Sequence, residues 1–534
     1  MRFKEFLKNF YTGVKEGISR FPVAFICSIL CFLTASYQII FESDTFKIFI
    51  PLYLTYALVS VFSVLLKTAQ EYITEKINSL LQYILCAIVA VAGFFLLKIH
   101  YESLYAIMAY TGIMIALLCF IFFTLMRGEN KDTAFPKLIS SLVFANAICG
   151  VLSGGLSICL AAFESLIFSW NDFSKLYFII NLFVWVVCFI NIFLSFIPKK
   201  DVPLPQSKIF RTFVLFAGLP LYILLIAILL VYLAKIVITW NMPVGEINWF
   251  ASFASLFFIF FLLSVKQYTE KIAKMFVKFG GYFLIPVLIM QAIAVFERIN
   301  AYGLTTPRTV SLVLIIISIL FIAGSLIMPK HLNKIALVSG IIVLIVTVTP
   351  FNVIDMPVAS QTKILESVLT ANGMLKDGKV VPNSKVSVED AEKIISSYNY
   401  LKYDAKKLPE FILNSEKNTD YEIFGFKADH DSDRNNYIHC NFSTKESVDI
   451  TDYNKMVECR EYDSIKIEHN GQQYDIDLEQ LARNFYSQYG DEEKQLDIYV
   501  VDDNLALYFT NFNVSFENDQ MTYCYFNGYA LLKD

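Results

Sequence analysis

Twelve consecutive positions carry the densest chemistry in the chain. Glu297-Arg298, Tyr302-Gly303, Thr305 and Arg308 bring a carboxylate, two guanidinium groups, a phenol and a hydroxyl to the end of an apolar stretch, GGYFLIPVLIMQAIAVFERINAYGLTTPR. Guanidinium groups offer paired, planar donors that match phosphate and carboxylate oxygens. Two readings follow from those types. One is a polar site that recognises a small anionic ligand. The other is a clamp, in which Arg298 and Arg308 pin the loop to Glu297 or to acidic sequence further on. Lys235, near the end of the earlier run Tyr232-Leu-Ala-Lys235-Ile-Val-Ile-Thr-Trp240, either snorkels to an interface or pairs with Glu297.

Other candidate chemistry is thinner. Asp429-His-Asp431-Ser-Asp433-Arg-Asn435 spaces three carboxylates as the first half of a calcium loop does. Arg434 stands where that loop needs glycine, and Cys440 stands where it needs a bidentate glutamate. A solvated hairpin tip is the expectation there. His430, His439 and His469 share no ligand spacing with each other or with Cys440, so no metal is expected. Of ten cysteines, only Cys440, Cys459 and Cys524 lie outside apolar runs, too few for a disulfide scaffold. Phosphate-cradling loops, dinucleotide fingerprints, serine elbows and zincin motifs do not occur, and no cofactor or catalytic residue is assigned.

The elements that must position these residues are membrane spans. The 534 residues are 56% hydrophobic, 16% aromatic and −4 in net charge, which excludes an ordinary soluble globule. That average hides a division near residue 351. Residues 352–534 hold 18 Lys and Arg against 33 Asp and Glu, a net of −15; residues 1–351 hold 26 against 15, a net of +11. A hydrocarbon core of about 30 Å needs roughly 20 apolar residues per helix. Eleven stretches qualify, near 21–41, 46–66, 80–98, 103–126, 138–162, 175–197, 212–238, 249–265, 280–297, 309–328 and 334–351. Residues 1–20 read as a basic amphipathic segment lying in the headgroup layer. Lys and Arg concentrate in alternate loops, twenty against five, which orients the N-terminus to the cytoplasm and residues 352–534 to the other side. Gly150-Val-Leu-Ser-Gly154-Gly155 has the small-residue spacing of close helix packing.

The tail reads as an extracytoplasmic α+β domain, 352–534. Ser360 to Asn372 is helical and stops at Gly373, and Ser387-Val-Glu-Asp390 caps a second helix to about Leu401. Strands are expected over 421–426, 437–442, 464–468, 474–477, 496–501, 505–516 and 521–532, with a hairpin turn at His469-Asn470-Gly471-Gln472 and a helix over Leu478–Tyr489. The fold class is thus an α-helical polytopic bundle of about eleven transmembrane helices with a C-terminal α+β domain.

Pro220…Tyr222…Tyr232…Lys235…Pro243-x-Gly245 and Arg298-Ile-x-x-Tyr302-Gly-Leu-Thr-x-x-Arg308, followed by Ser360-Gln361…Leu365…Leu369…Asn372-Gly373…Asp377-Gly378-Lys379, resemble the bacterial multi-pass membrane family catalogued as domain of unknown function 4153. The resemblance implies a bacterial inner-membrane protein and transfers no catalytic residues. The function expected is therefore a non-enzymatic or transport-related protein of the cell envelope. Its polar site or joint at the outer face would lie under a sensing or docking domain, with the bilayer, a lipid or small anion, and an envelope protein as partners. The alternative is a membrane transferase acting on a lipid-linked substrate. Acidic character in the tail argues against nucleic acid.

Overall fold

In a computed structural model the described residues are 3–41, 46–74, 77–127, 132–166, 173–200, 202, 207–239, 246–415, 423–426, 437–445, 448–462, 464–489, 494–517 and 520–533. Among them are eleven helices long and apolar enough to cross a membrane. The backbone must close its own hydrogen bonds in lipid, and a helix does so within one segment. After α1 (Phe3–Arg20) come α2 (Pro22–Phe41), α3 (Phe46–Tyr72), α4 (Ser79–His100), α5 (Leu104–Leu125) and α6 (Ala134–Leu166). Next are α7 (Phe173–Ser195) and α8 (Lys208–Thr239), α9 (Glu246–Val265), α10 (Lys271–Tyr302), α11 (Thr306–Ile327) and α12 (Leu332–Val348). The protein is a multi-pass membrane protein.

Local sequence explains the departures from straight helix. Pro220 has no N–H to donate, and α8 widens into a π-turn over Val214–Gly218 just before it, with the Leu219 amide reaching the Val214 carbonyl. Buried side chains of α8 to α11 form the largest core, in which Tyr222 meets the Phe276 ring edge-on at 5.6 Å. Gly281 lets α10 approach α11, since a Cβ there would stand 3.0 Å from Ile322 Cγ2. The glycines of α6 do otherwise than expected. A Cβ at Gly150, Gly154 or Gly155 would meet nothing within 4 Å, so that face packs no described helix. α6 engages α7 instead through hydroxyls, Ser153 and Ser157 meeting Asn181.

Charges bind the opposite end. Arg20 donates to Glu71 Oε1 at 3.0 Å and Oε2 at 2.6 Å, and to the carbonyls of Ile197 at 2.7 Å and Pro198 at 2.8 Å. One side chain thus ties the α1–α2 junction to α3 and to the end of α7. The expected amphipathic segment is helical, and Gly17 packs it so closely on α7 that a Cβ would lie 2.8 Å from Ser195 Cα.

The chain divides into two compact units, 1–426 and 427–534. Residues 352–426 thus belong to the first unit. There α13 (Asp355–Ala371) and α14 (Val388–Asn399) flank a short β-turn pair, β1 (Leu375–Lys376) and β2 (Lys379–Val380). Asn352 Oδ1 accepts from the amides of Ile354 at 2.8 Å and Asp355 at 2.7 Å, which starts α13 five residues before Ser360. Gly373 ends it with φ +66°, and Ser387 Oγ caps α14 from the Asp390 amide at 3.2 Å. The strand expected over 421–426 does not form at its described positions. Ile423 and Phe424 make a buried helical turn, held by the Asn383 amide on the Phe424 carbonyl at 2.9 Å.

The second unit is built on a sheet of order β4-β10-β9-β3-β7, with β8 also on β9. Its strands are β3 (Tyr437–Thr444), β4 (Lys455–Glu461), β7 (Lys494–Leu496), β8 (Tyr499–Val500), β9 (Leu505–Glu517) and β10 (Gln520–Leu532). β5 (Ser464–His469) and β6 (Gln472–Asp477) make the expected hairpin, with φ +51° at Asn470 and +78° at Gly471. Helix α15 (Leu478–Tyr489) places Phe485 against Phe442, Phe509 and Phe512. The Asp429–Asn435 segment and the side chains of His439 and Cys440 lie outside the described residues. His469 faces the Lys533 carbonyl at 2.9 Å.

Candidate functional site

The α10–α11 turn is a narrow link with little freedom. Gly303 carries φ +74° and ψ 179°, a conformation that side chains exclude, and its amide closes α10 on the Ile299 carbonyl at 2.8 Å. Thr305 is extended, and Pro307 in the first turn of α11 costs no backbone bond there. Within the first turn of α11, Arg308 folds back. Its guanidinium donates to the Gly303 carbonyl and lies 5.9 Å over the Tyr302 ring.

The free carbonyls of this turn are met from α13. Gln361 Nε2 donates to the Tyr302 carbonyl at 2.8 Å and to the Leu304 carbonyl at 2.9 Å. Ser360 Oγ accepts from the Leu304 amide at 3.1 Å. Beyond α14, the Tyr400 phenol is 2.8 Å from Thr306 Oγ1 and accepts from the Thr306 amide at 3.3 Å. Burial pushes the Tyr400 phenol above its ordinary pKa, so it stays a neutral hydroxyl. The joint is therefore made of neutral hydrogen bonds. Among the described residues no ion pair joins Arg298 or Arg308 to an acid.

On the bundle side of the same turn lies a cavity of about 820 Å³ between α9, α10 and α11. Glu297, Arg298, Tyr302, Thr305 and Arg308 line it, and the charges of Arg298 and Arg308 are close enough to act on each other. Its remaining polar lining comes from Asn248, Trp249, Ser252, Thr306 and Ser311. Asn248 Nδ2 donates to Ser311 Oγ at 2.9 Å, and Gln291 Nε2 donates to Asn248 Oδ1 and to Ser252 Oγ, both at 2.9 Å. Gln291 is fully buried, and its Oε1 has no hydrogen-bond partner among the described residues.

Seven residues were singled out from sequence, and five of them share this cavity. Gly303 is buried behind it, where it sets the turn. Lys235 stands exposed on α8, where its carbonyl accepts from Thr239 Oγ1 at 2.9 Å, and no ion pair joins it to Glu297 among the described residues. Asn248, Ser252, Ser311, Ser360, Gln361 and Tyr400 were not singled out as site residues. Chemically, two guanidinium groups beside one carboxylate suit the holding of an anionic group. Among the described residues no cluster of His, Cys, Asp and Glu could hold a metal ion.

A model of the family described as Domain of unknown function (DUF4153) matches residues 58–377. That is more than half the chain, from within α3 through the α10–α11 turn and α13 to β1, and the chain belongs to this family. No curated protein and no solved structure matches.

Proposed function

We propose that this member of the DUF4153 family is a bacterial envelope protein that works by binding, holding an anionic group in the cavity at the α10–α11 turn. The supporting observation is that Arg298 and Arg308 line one cavity with no acid ion-paired to either among the described residues. Like charges brought together in a partly apolar pocket are costly unless an opposite charge is held with them. Among the described residues Glu297 is the one carboxylate of that lining, which favours holding an anion over processing it by paired acid and base. The transferase alternative would need such a pair.

The loop charges orient the site. With the N-terminus in the cytoplasm of a bacterial plasma membrane, the ends of α8 and α10 and the starts of α9 and α11 face outward. Residues 352–534, net −15 by sequence, then lie on the outer side, where they would serve as a docking or sensing region for an envelope protein. A reporter fused after residue 534 tests the orientation: periplasmic activity is expected, and activity confined to the cytoplasm would refute it. Inorganic phosphate added to the purified chain tests the site. It should raise the unfolding temperature, and Arg298→Gln should abolish the rise; equal shifts in both proteins would remove the site.

A further inference from the structure

A second cavity bears on what the anionic group is attached to. It has a volume of about 790 Å³ and, among the described residues, no charged side chain in its lining. Cys31 of α2, Tyr56 of α3, Cys119 of α5, Ile190 of α7, Ile317 of α11 and Val343 of α12 contribute to its wall. Each cavity alone falls within the roughly 300–1,000 Å³ of ordinary ligand pockets. The two share a wall: Leu256 of α9 and Leu314 of α11 line both. Leu314 follows Arg308 by six residues, about 9 Å along the helix axis, and Leu256 follows Asn248 by eight, about 12 Å.

We propose that the pair of cavities is one site for an anionic amphiphile, a phosphate-bearing head joined to a long hydrocarbon chain. The head lies between Arg298 and Arg308. The chain passes Leu256 and Leu314 into the apolar chamber. This deepens the anion-binding reading and rests on it. Three features carry the step from free anion to lipid. A wall made mostly of hydrocarbon offers water few hydrogen-bond partners. Left empty, its lining forfeits dispersion contacts that a chain would restore. And the polarity runs in one order along α9 and α11, from guanidinium through Asn248 and Ser311 to leucine and then to an uncharged wall that is mostly hydrocarbon. A free phosphate would use only the first part of that gradient.

The test is native mass spectrometry of the full-length detergent-purified chain with three probes: dioleoyl phosphatidic acid, dioleoyl phosphatidylcholine and short-chain dibutyryl phosphatidic acid. The long-chain anionic probe should be retained at least about tenfold better than either of the others, and Arg298→Gln should remove at least about tenfold of that retention, as loss of a charged hydrogen bond does. Ile317→Phe, and independently Ser60→Phe, place a ring in the chamber. Each should lower retention of the dioleoyl anion while leaving the dibutyryl anion unchanged. Equal retention of the long- and short-chain anions, with both chamber variants silent, would overturn the lipid proposal and leave the anion site standing. Equal retention of phosphatidic acid and phosphatidylcholine, indifferent to Arg298→Gln, would sink both. Either chamber variant suffices if the other does not fold.

Discussion

Gly303→Ala is the sharpest perturbation of the joint. At φ +74° and ψ 179° an alanine sits where essentially only glycine is found, at a cost of about 1–3 kcal/mol. Its Cβ would stand 2.3 Å from Ile364 Cδ1 and 2.9 Å from Gln361 Nε2. Relieving that overlap turns the ends of the Ile364 and Gln361 side chains out of their preferred rotamers, which costs about 1 kcal/mol or somewhat more in packing. The same movement lengthens the two bonds from Gln361, each worth about 0.5–1.5 kcal/mol. Taking about 3 kcal/mol as the low end of the sum, local opening becomes roughly a hundredfold more frequent, since 1.4 kcal/mol is tenfold. Hydrogen exchange read by mass spectrometry reports that opening. Amides over residues 299–309 and 358–366 should exchange about a hundredfold faster, while β9 and β10 stay unchanged. Adding Ile364→Ala should recover the steric part and leave the backbone strain. Exchange within about threefold of the parent in Gly303→Ala would refute the close approach of α13 to this turn.

Three further outcomes follow from other contacts. Arg20→Met leaves the Glu71 carboxylate, 23% exposed, without its bidentate partner and with only Lys67 at 4.0 Å; loss of a part-buried charged hydrogen bond costs about 1.5–3 kcal/mol, so folded yield should fall, and Arg20→Met with Glu71→Leu should restore much of it. Tyr400→Phe removes both bonds to Thr306 without emptying space, and faster exchange at the Thr306 amide, by about fivefold for roughly 1 kcal/mol, is the readout. Asp355 is held below the usual carboxylate range by its bond from Asn352, with Lys407 adding to it. Because that pKa is lowered by folding, its contribution to the start of α13 is present at neutral pH and fades as pH falls through and below the ordinary carboxylate range. Exchange at residues 354–358 should rise with acidity, and Asp355→Asn should flatten that dependence.

How much was legible depends on where the information sits. Each span repeats one signal, apolar side chains over the length of a bilayer, so all eleven could be read. Local chemistry at caps and turns was readable too: Ser387, Gly373 and Asn470-Gly471 act within a few residues of themselves. β4 was not expected, because Lys455-Met-Val-Glu-Cys-Arg-Glu461 lacks clean alternation and lies at the sheet edge, where among the described residues it pairs with β10 alone. The bonds from α13 and Tyr400 to this turn are made by amide and hydroxyl groups, which carry no charge pattern to read in advance. Gln361 is an ordinary helix residue in sequence; its role exists only because Gly303 leaves two carbonyls turned toward it. Asn248, Ser252 and Gln291 likewise acquire meaning by convergence of α9 and α10. Arg298, Tyr302, Thr305 and Arg308 were legible as a group, since a run of polar types closing an apolar helix is itself unusual.

The most direct measurement is a high-resolution structure of the full chain extracted with its native lipid, inspected in the cavity between Arg298 and Arg308. Density for an anionic head contacting both guanidinium groups is expected, with a chain continuing past Leu256 and Leu314. Both arginines ion-paired to acids of the protein itself, with ordered water alone between them, would contradict the site.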